Sequence, residues 1–298
     1  MSAPEAVRLE SVGHSYGETR ALEGVSLSIR RGEMFGLVGP DGAGKTTLLR
    51  VLAAVITPEE GAVEWSEVSE RGYLSQGFSL YQDLTVDENI DFFAEIHGVR
   101  DFKERSRELL SFVGLLPFRK RLAGRLSGGM KKKLALACAM VHRPEVLLLD
   151  EPTTGVDPVS RRDFWLLLVE LLREGITIII STPYLDEAER CMRVGLLKNG
   201  RFLSVDTPDA VKARVGGAIY EVVSPRQRDA YRVLSEDGGY APQQLQPLGD
   251  SLHVLGATDE AEIRSLLEGR RVPFESVRTV PPSLENAFIS LVREGGEQ

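Results

Sequence analysis

The chain is poor in the residues that build metal clusters and disulfide frameworks. Of its 298 residues only Cys138 and Cys191 carry thiols, and the histidines are His14, His97, His142 and His253. Two cysteines so far apart form neither a zinc cluster nor a disulfide scaffold, so no metal ligand is assigned to them and a reducing compartment is expected. Long apolar runs are also missing. Runs such as residues 146–149 and 178–180 are strand-sized, and residues 1–9 are charged with no apolar core. The sequence therefore gives no direct membrane span and no secretory leader, and any membrane role must come through a separate spanning partner. Basic residues are outnumbered, 36 Lys and Arg against 44 Asp and Glu, for a net charge of −8. That balance argues against nucleic acid as a partner, and the Lys131-Lys132-Lys133 run reads as a solvated helix face.

What is present is an ordinary globular composition, 42% hydrophobic and 27% charged, in a chain long enough for one domain of about 200 residues and a smaller second one. Segments 7–12 and 24–29 alternate as antiparallel strands around a Gly17-Glu18 turn. Met34-Phe35-Gly36-Leu37-Val38 is a continuous apolar run that ends in glycines and leads into a helical pattern over 45–56. The same order of strand then helix recurs at 146–149 with 160–173, and at 177–180 with 185–191, which is the pattern of a parallel sheet with crossover helices. Residues 77–142 show no strand and read as a helical insertion. Thr85 and Glu88 form a capping box opening a helix that Gly98 closes, and Gly114 stops a second helix over 102–113. Asn199-Gly200 marks a hairpin between 194–197 and 201–205. From about 216 the pattern changes to short strands at 219–223, 252–255 and 274–277 with intervening helices. The last helix, 284–292, places Leu284, Ala287, Phe288 and Leu291 on one face. The expected organisation is α/β, residues 1–215, followed by a small α+β domain, 216–298, with Gly216-Gly217 as the linker.

The chemistry lies at the strand ends. Gly39-Pro40-Asp41-Gly42-Ala43-Gly44-Lys45-Thr46 has phosphate-loop spacing between a buried strand and a helix. Glycines let backbone N–H groups turn toward phosphates, the helix N-terminus adds positive potential, Lys45 reaches the β and γ phosphates, and the Thr46 hydroxyl can ligate Mg²⁺; Thr47 continues the site. Val146-Leu147-Leu148-Leu149-Asp150-Glu151 ends a buried strand in two acids, where Asp150 can hold Mg²⁺ and Glu151 can polarise an attacking water. Ser127-Gly128-Gly129, opening a basic helix, has the form of a second N-terminal phosphate site.

Together these three motifs resemble the ATP-binding cassette family over residues 7 to about 210. The resemblance implies a P-loop NTPase cassette: a mixed-sheet core, an N-terminal antiparallel β subdomain and a helical insertion. It implies ATP and Mg as cofactors, Tyr16 as the aromatic that stacks on adenine, and Gln76 as the glutamine that senses Mg²⁺ and contacts a membrane partner. Asp157 is similar to the aspartate that crosses the dimer interface, where one subunit's phosphate loop meets the other's Ser127-Gly128-Gly129. The 153–158 run, Asp186-Glu187-Ala188-Glu189 and the tail from Pro282 to Phe288 resemble bacterial multidrug-export subunits. These work with separate permeases from the cytoplasmic face of the inner membrane. The coupling groove is expected near Gln76, Phe78, Leu80 and Tyr81.

The chain departs from the family pattern at Ser181-Thr182-Pro183-Tyr184, where members carry a histidine that contacts the γ phosphate. Pro183 can donate no hydrogen bond. Met130 stands where glutamine is common, a milder change. Three consequences stay open: a slow homodimer, an asymmetric pairing with a second cassette that keeps the histidine, or a binding-only regulatory cassette. A soluble cassette acting on DNA or ribosomes is a further alternative that the acidic balance disfavours.

Overall fold

The computed structural model describes residues 4–67, 70–77, 80–257 and 259–294. Two compact units divide the chain, Met1–Val205 and Asp206–Gln298. The first runs β1 (Glu5–Tyr16), β2 (Thr19–Arg30), β3 (Met34–Val38), α1 (Lys45–Leu52), β4 (Glu60–Trp65), β5 (Arg71–Leu74), α2 (Val86–Ile96), α3 (Phe102–Phe112) and α4 (Gly128–Met140). It continues through β6 (Val146–Asp150), α5 (Pro158–Arg173), β7 (Thr177–Thr182), α6 (Leu185–Ala188), β8 (Arg193–Lys198) and β9 (Arg201–Asp206).

Every residue of β3, β6 and β7 is buried, as expected for strands covered on both faces. They lie side by side in a six-stranded sheet of order β5-β6-β7-β3-β8-β9, with parallel pairing from β5 through β8. Sequential strands are separated by crossovers, so the carboxyl ends of β3, β6 and β7 share one sheet edge. That is where ligands bind in open α/β sheets. A second, antiparallel sheet of order β2-β1-β4 packs its apolar side, including Val7, Leu9, Leu27 and Ile29, into the same core as Phe35, Leu48, Leu52 and Leu148.

Strand and helix limits differ from the sequence reading where the stop signal is not a glycine. α1 ends at Leu52 rather than 56 because Ala54 takes a left-handed φ of 55° and closes a Schellman turn, Val55 N–H to Arg50 O at 2.9 Å and Ala54 N–H to Val51 O at 3.0 Å. The helix expected over 185–191 is a single turn; Arg190 and Cys191 donate to carbonyls three residues back and the chain enters β8. β4 and β5 are edge strands with little apolar alternation to read.

The helical segment is as expected. Glu88 N–H donates to Thr85 Oγ1 at 3.2 Å while the Glu88 carboxylate accepts from Thr85 N–H and Thr85 Oγ1, both at 2.7 Å, and the two bonds to the carboxylate lower the Glu88 pKa. Inside the same helix Asn89 is fully buried. Its Oδ1 accepts from Tyr81 N–H at 2.9 Å, and its Nδ2 donates toward the carbonyls of Tyr81 (3.0 Å), Leu84 (3.3 Å) and Thr85 (2.9 Å). One carboxamide thus shapes the whole approach to α2.

The second unit comprises α7 (Pro208–Lys212), β10 (Ala218–Val223), α8 (Gln227–Glu236), β11 (Leu245–Leu248), β12 (Ser251–Ala257), α9 (Glu260–Gly269), β13 (Ser276–Val280) and α10 (Leu284–Glu294). Its antiparallel sheet has the order β11-β12-β10-β13, and α8 and α9 cover a core of Val222, Leu234, Val254, Ile263 and Leu267. β13 starts two residues later than the apolar pattern indicates; Phe274 precedes it, packs against this core and lies under Arg264. β11 escaped notice because it carries Pro247, which an edge strand tolerates. α10 packs against α7, with Leu284, Ala287 and Leu291 buried and Phe288 partly so.

Removing the Asn89 carboxamide leaves several buried backbone groups unpaired, so Asn89→Ala should cost about 3 kcal/mol in urea unfolding. Thr85→Ala, which loses only a cap, should cost about 1 kcal/mol. Equal losses would contradict the organising role given to Asn89.

Candidate functional site

β3 delivers the chain into the 39–46 loop, and Gly44 ends it as the N-cap of α1 at φ 105°. A Cβ on Gly44 would also sit 2.5 Å from the Ala21 carbonyl oxygen, so glycine is required on both counts. No side chain caps α1, which leaves its first N–H groups directed at the cleft. Lys45 is 4% exposed; its Nζ donates to the carbonyls of Gly39 (2.8 Å) and Pro40 (3.0 Å) and lies 3.4 Å from Glu151 Oε1. The turn between β8 and β9 supports the loop from behind. Asn199 and Gly200 both have positive φ, 48° and 74°, giving the type I′ hairpin that Asn-Gly encodes, and Gly200 N–H donates to Ala43 O at 3.0 Å.

At the end of β6, Asp150 is fully buried. Its Oδ1 accepts from Ser181 Oγ at 2.7 Å and from Thr46 Oγ1 at 3.1 Å, while its Oδ2 is buried with no partner. Glu151 takes φ 46°, a conformation that costs a non-glycine residue on the order of 1–3 kcal/mol. Its N–H donates to Ser181 Oγ at 2.9 Å, and its Oε2 accepts from Gln76 Nε2 at 2.9 Å and Thr154 Oγ1 at 3.3 Å. The result is a cleft of about 560 Å³ walled by Asp41, Gly42, Ala43, Gly44, Lys45, Thr46 and Thr47, with Gln76, Glu151 and Thr154 opposite.

The remaining sequence candidates lie outside this wall. Tyr16 is 47% exposed, stands edge-on to His14 at 4.9 Å and is hydrogen-bonded to Arg50, which helps raise the Arg50 pKa. Ser127 Oγ accepts from Met130 N–H at 3.3 Å, capping α4; Gly129 packs so tightly on α5 that a Cβ would lie 2.5 Å from that of Ser160. Gly128 faces the Gly155 carbonyl nearby. Asp157 caps α5 through Ser160 N–H (2.9 Å) and Val159 N–H (3.1 Å), and those bonds lower its pKa. Lys132 corrects the expectation of a solvated basic face: it is 3% exposed, whereas Lys133 pairs with Asp163 at 3.1 Å near the surface.

Of the other cleft residues, Thr19, Arg20 and Ala21 carried no sequence motif, whereas Pro183 and Tyr184 belong to the run where the chain departs from the family pattern. Arg20, paired with Glu60, lines one wall with Thr19 and Ala21; Pro183 and Tyr184 line another. The β7 end is tied to the Glu151 turn by Glu187. Its carboxylate, 1% exposed, accepts from Thr153 Oγ1 at 2.7 Å and Thr182 Oγ1 at 2.8 Å.

A second, smaller cavity of about 160 Å³ opens between β5, α2 and α4, with Tyr73, Leu80, Phe93 and Cys138 in its walls. His97 and His142 stack there at 3.8 Å, and His142 Nε2 lies 3.2 Å from the Arg71 carbonyl oxygen, which it donates to when neutral. Burial, then the neighbouring His97, lowers the His142 pKa.

A family model described as ABC transporter matches residues 22–154. The daunorubicin resistance ATP-binding protein DrrA2 of Streptomyces coeruleorubidus is 34% identical over 309 residues, covering 96% of this chain and 94% of that protein. The chain belongs to the ATP-binding cassette transporter family. A probable multidrug ABC transporter ATP-binding protein of Escherichia coli K12, YbhF, is 39% identical over 290 residues, 93% of this chain; the cassette chain spans about half of that relative's length, 50%. Among solved structures, a nucleotide-free ATP-binding cassette from an ABC transporter superposes with TM-score 0.64 at 25% identity, over 70% of this chain and 94% of that one. A dimeric cassette in a post-hydrolysis state bound to ADP and Pi gives TM-score 0.61 at 28% identity, over 67% and 98%. Cassettes of this fold thus bind adenine nucleotide and occur as dimers.

A lowered histidine pKa means that the fold holds His142 neutral. Its contribution to stability is complete above the ordinary histidine value and is lost as pH falls below it. The melting midpoint should therefore drop between pH 7.5 and 5.5, and His142→Gln should flatten that slope. An unchanged slope in the variant would remove His142 as its source.

Proposed function

We propose that this chain is the ATP-hydrolysing motor subunit of an exporter, working as one of two cassettes on separate membrane permease subunits. The observation that carries the reading is the convergence of Lys45, Thr46, Gln76 and Glu151 on one cleft, with Asp150 bonded behind Thr46, while Ser127, Gly128 and Gly129 stand outside it. A phosphate chain on the 39–47 loop would meet the free N–H groups of α1, and its γ end would draw Lys45 away from the Gly39 and Pro40 carbonyls. The Asp150 carboxylate, with Oδ2 unpartnered and Oδ1 bonded to Thr46 Oγ1, offers with Thr46 an oxygen-donor set suited to Mg²⁺, to which Gln76 is assigned as a further ligand and phosphates and water would complete the coordination. Mg²⁺ there would neutralise charge on the phosphates. Glu151, held by Gln76 and the Thr154 hydroxyl, is the base that orients the attacking water. Exposed Tyr16 is assigned to the adenine.

Ser127, Gly128 and Gly129 are assigned to the nucleotide of the partner cassette, with Asp157 at the same interface. Their place outside their own cleft fits a site completed between two subunits. The permease is assigned to the cavity beside Leu80 and to Tyr81, which is 50% exposed and edge-on to Phe92 at 4.6 Å; Phe78, expected in the same groove, lies outside the described residues. Among the described residues no helix is long and apolar enough to cross a membrane. A place on the cytoplasmic face of the inner membrane would thus come through the permease. The relatives' names speak of a multidrug transporter, of daunorubicin resistance and of Nod factor export, and support export as the direction.

Pro183 in the cleft wall supports a second element of this reading, asymmetric pairing with a cassette that keeps a histidine at the corresponding place. The purified chain should bind MgATP and hydrolyse it weakly alone, faster with such a partner. Glu151→Gln should retain binding and abolish hydrolysis. Pro183→His should raise turnover at this site by roughly tenfold, the scale of one donor to developing charge. Robust wild-type turnover that Pro183→His leaves unchanged would overturn the asymmetric pairing, and full turnover in Glu151→Gln would overturn the catalytic assignment.

A further inference from the structure

Lys132 is the one residue of its basic run that turns inward, and a cation at 3% exposure must be repaid by its surroundings. Its Nζ donates to the Gln76 carbonyl at 3.0 Å and lies 3.5 Å from the Glu151 carbonyl. Gln76 Nε2 in turn donates to Glu151 Oε2 at 2.9 Å, so three residues from three separate elements close a ring: Lys132 to the Gln76 backbone, the Gln76 side chain to Glu151, and the Glu151 backbone back to Lys132. Burial lowers the Lys132 pKa, while the charges of Asp150 and then Glu151 oppose that shift.

Glu151 sits at φ 46°, where glycine would be unstrained but would supply no carboxylate. Such a backbone persists only when held on both sides. Ser181 Oγ accepts from its N–H at 2.9 Å, and its carbonyl accepts from the Thr154 N–H at 3.3 Å with Lys132 Nζ beside it at 3.5 Å. α4, which carries Lys132, is the helix that Ser127 caps.

We infer that Lys132 is a positioning residue that fixes the backbones of Gln76 and Glu151 for hydrolysis and makes their geometry depend on where α4 sits. The inference rests on the proposed function. Through Lys132, a nucleotide engaged at the Ser127 end of α4 would adjust the water-orienting pair in the same chain's own cleft, one turn further along the helix. Lys132 touches neither phosphate nor water in this scheme; it acts through Gln76 and Glu151.

The test uses the full chain, a fluorescent ATP analogue with Mg²⁺ for affinity, and single-turnover phosphate release from ATP over hours for rate, with Glu151→Gln as the zero. Lys132→Met should keep affinity within about threefold of wild type while lowering the release rate by about tenfold or more, and Lys132→Arg should recover part of the rate. Should Lys132→Met fail to fold, the same split is read on Lys132→Gln. Wild-type release no faster than Glu151→Gln would sink the hydrolytic reading and this inference with it. A silent Glu151→Gln beside a Lys132 variant that turns over normally would overturn the inference alone, as would affinity and rate falling together with no recovery in Lys132→Arg.

Discussion

The Ser181 hydroxyl carries the constraint on which the cleft depends. It donates to Asp150 and accepts from the Glu151 N–H, so one oxygen from β7 settles two adjacent acidic residues at the end of β6. Burying a carboxylate as deeply as that of Asp150 is costly unless its lone pairs are met, and the Ser181 and Thr46 hydroxyls meet one oxygen. Because Thr46 lies in the first turn of α1 and Ser181 in β7, satisfying this carboxylate fixes the phosphate loop against the ends of β6 and β7. The parallel register of β3, β6 and β7 is what brings the three ends together.

A network of hydroxyls and carbonyls extends that constraint outward. Glu187 joins Thr153 to Thr182, Lys132 joins α4 to the Gln76 and Glu151 backbones, and Lys45 joins the loop to the Glu151 carboxylate. Few of these links are surface ion pairs, which contribute little. They are buried bonds between segments far apart in sequence, so the cleft has few independent parts.

Much of this was legible in the sequence because the cleft is built from local signals. A buried strand running into Gly44-Lys45-Thr46, a strand ending in Asp150-Glu151, and the Thr85 and Glu88 capping box each announce their geometry within a dozen residues. The Asn199-Gly200 hairpin did the same. What escaped was set by tertiary contact. Thr19, Arg20 and Ala21 have no motif and reach the cleft only through strand order. Lys132 looked like one of three exposed lysines because helical position, not composition, decides which of them faces inward. β4, β5 and β11 are edge strands whose exposed or proline-bearing sequences lack the alternation that reveals a half-buried strand, and Ala54 ends α1 in a conformation that ordinarily advertises itself with glycine.

The β8–β9 turn has the outward form of a permissive surface loop, two residues of the kind that tolerates insertions and tags. Its Gly200 amide nonetheless holds the Ala43 carbonyl, and its carbonyl accepts from the Glu23 N–H at 2.9 Å, so the turn is sandwiched between the phosphate loop and the β2 strand. Its length is therefore not free to drift as loops usually do. Relatives that lengthen other connections should keep this one at two residues, and an epitope grafted here would report on the nucleotide cleft rather than leave it undisturbed.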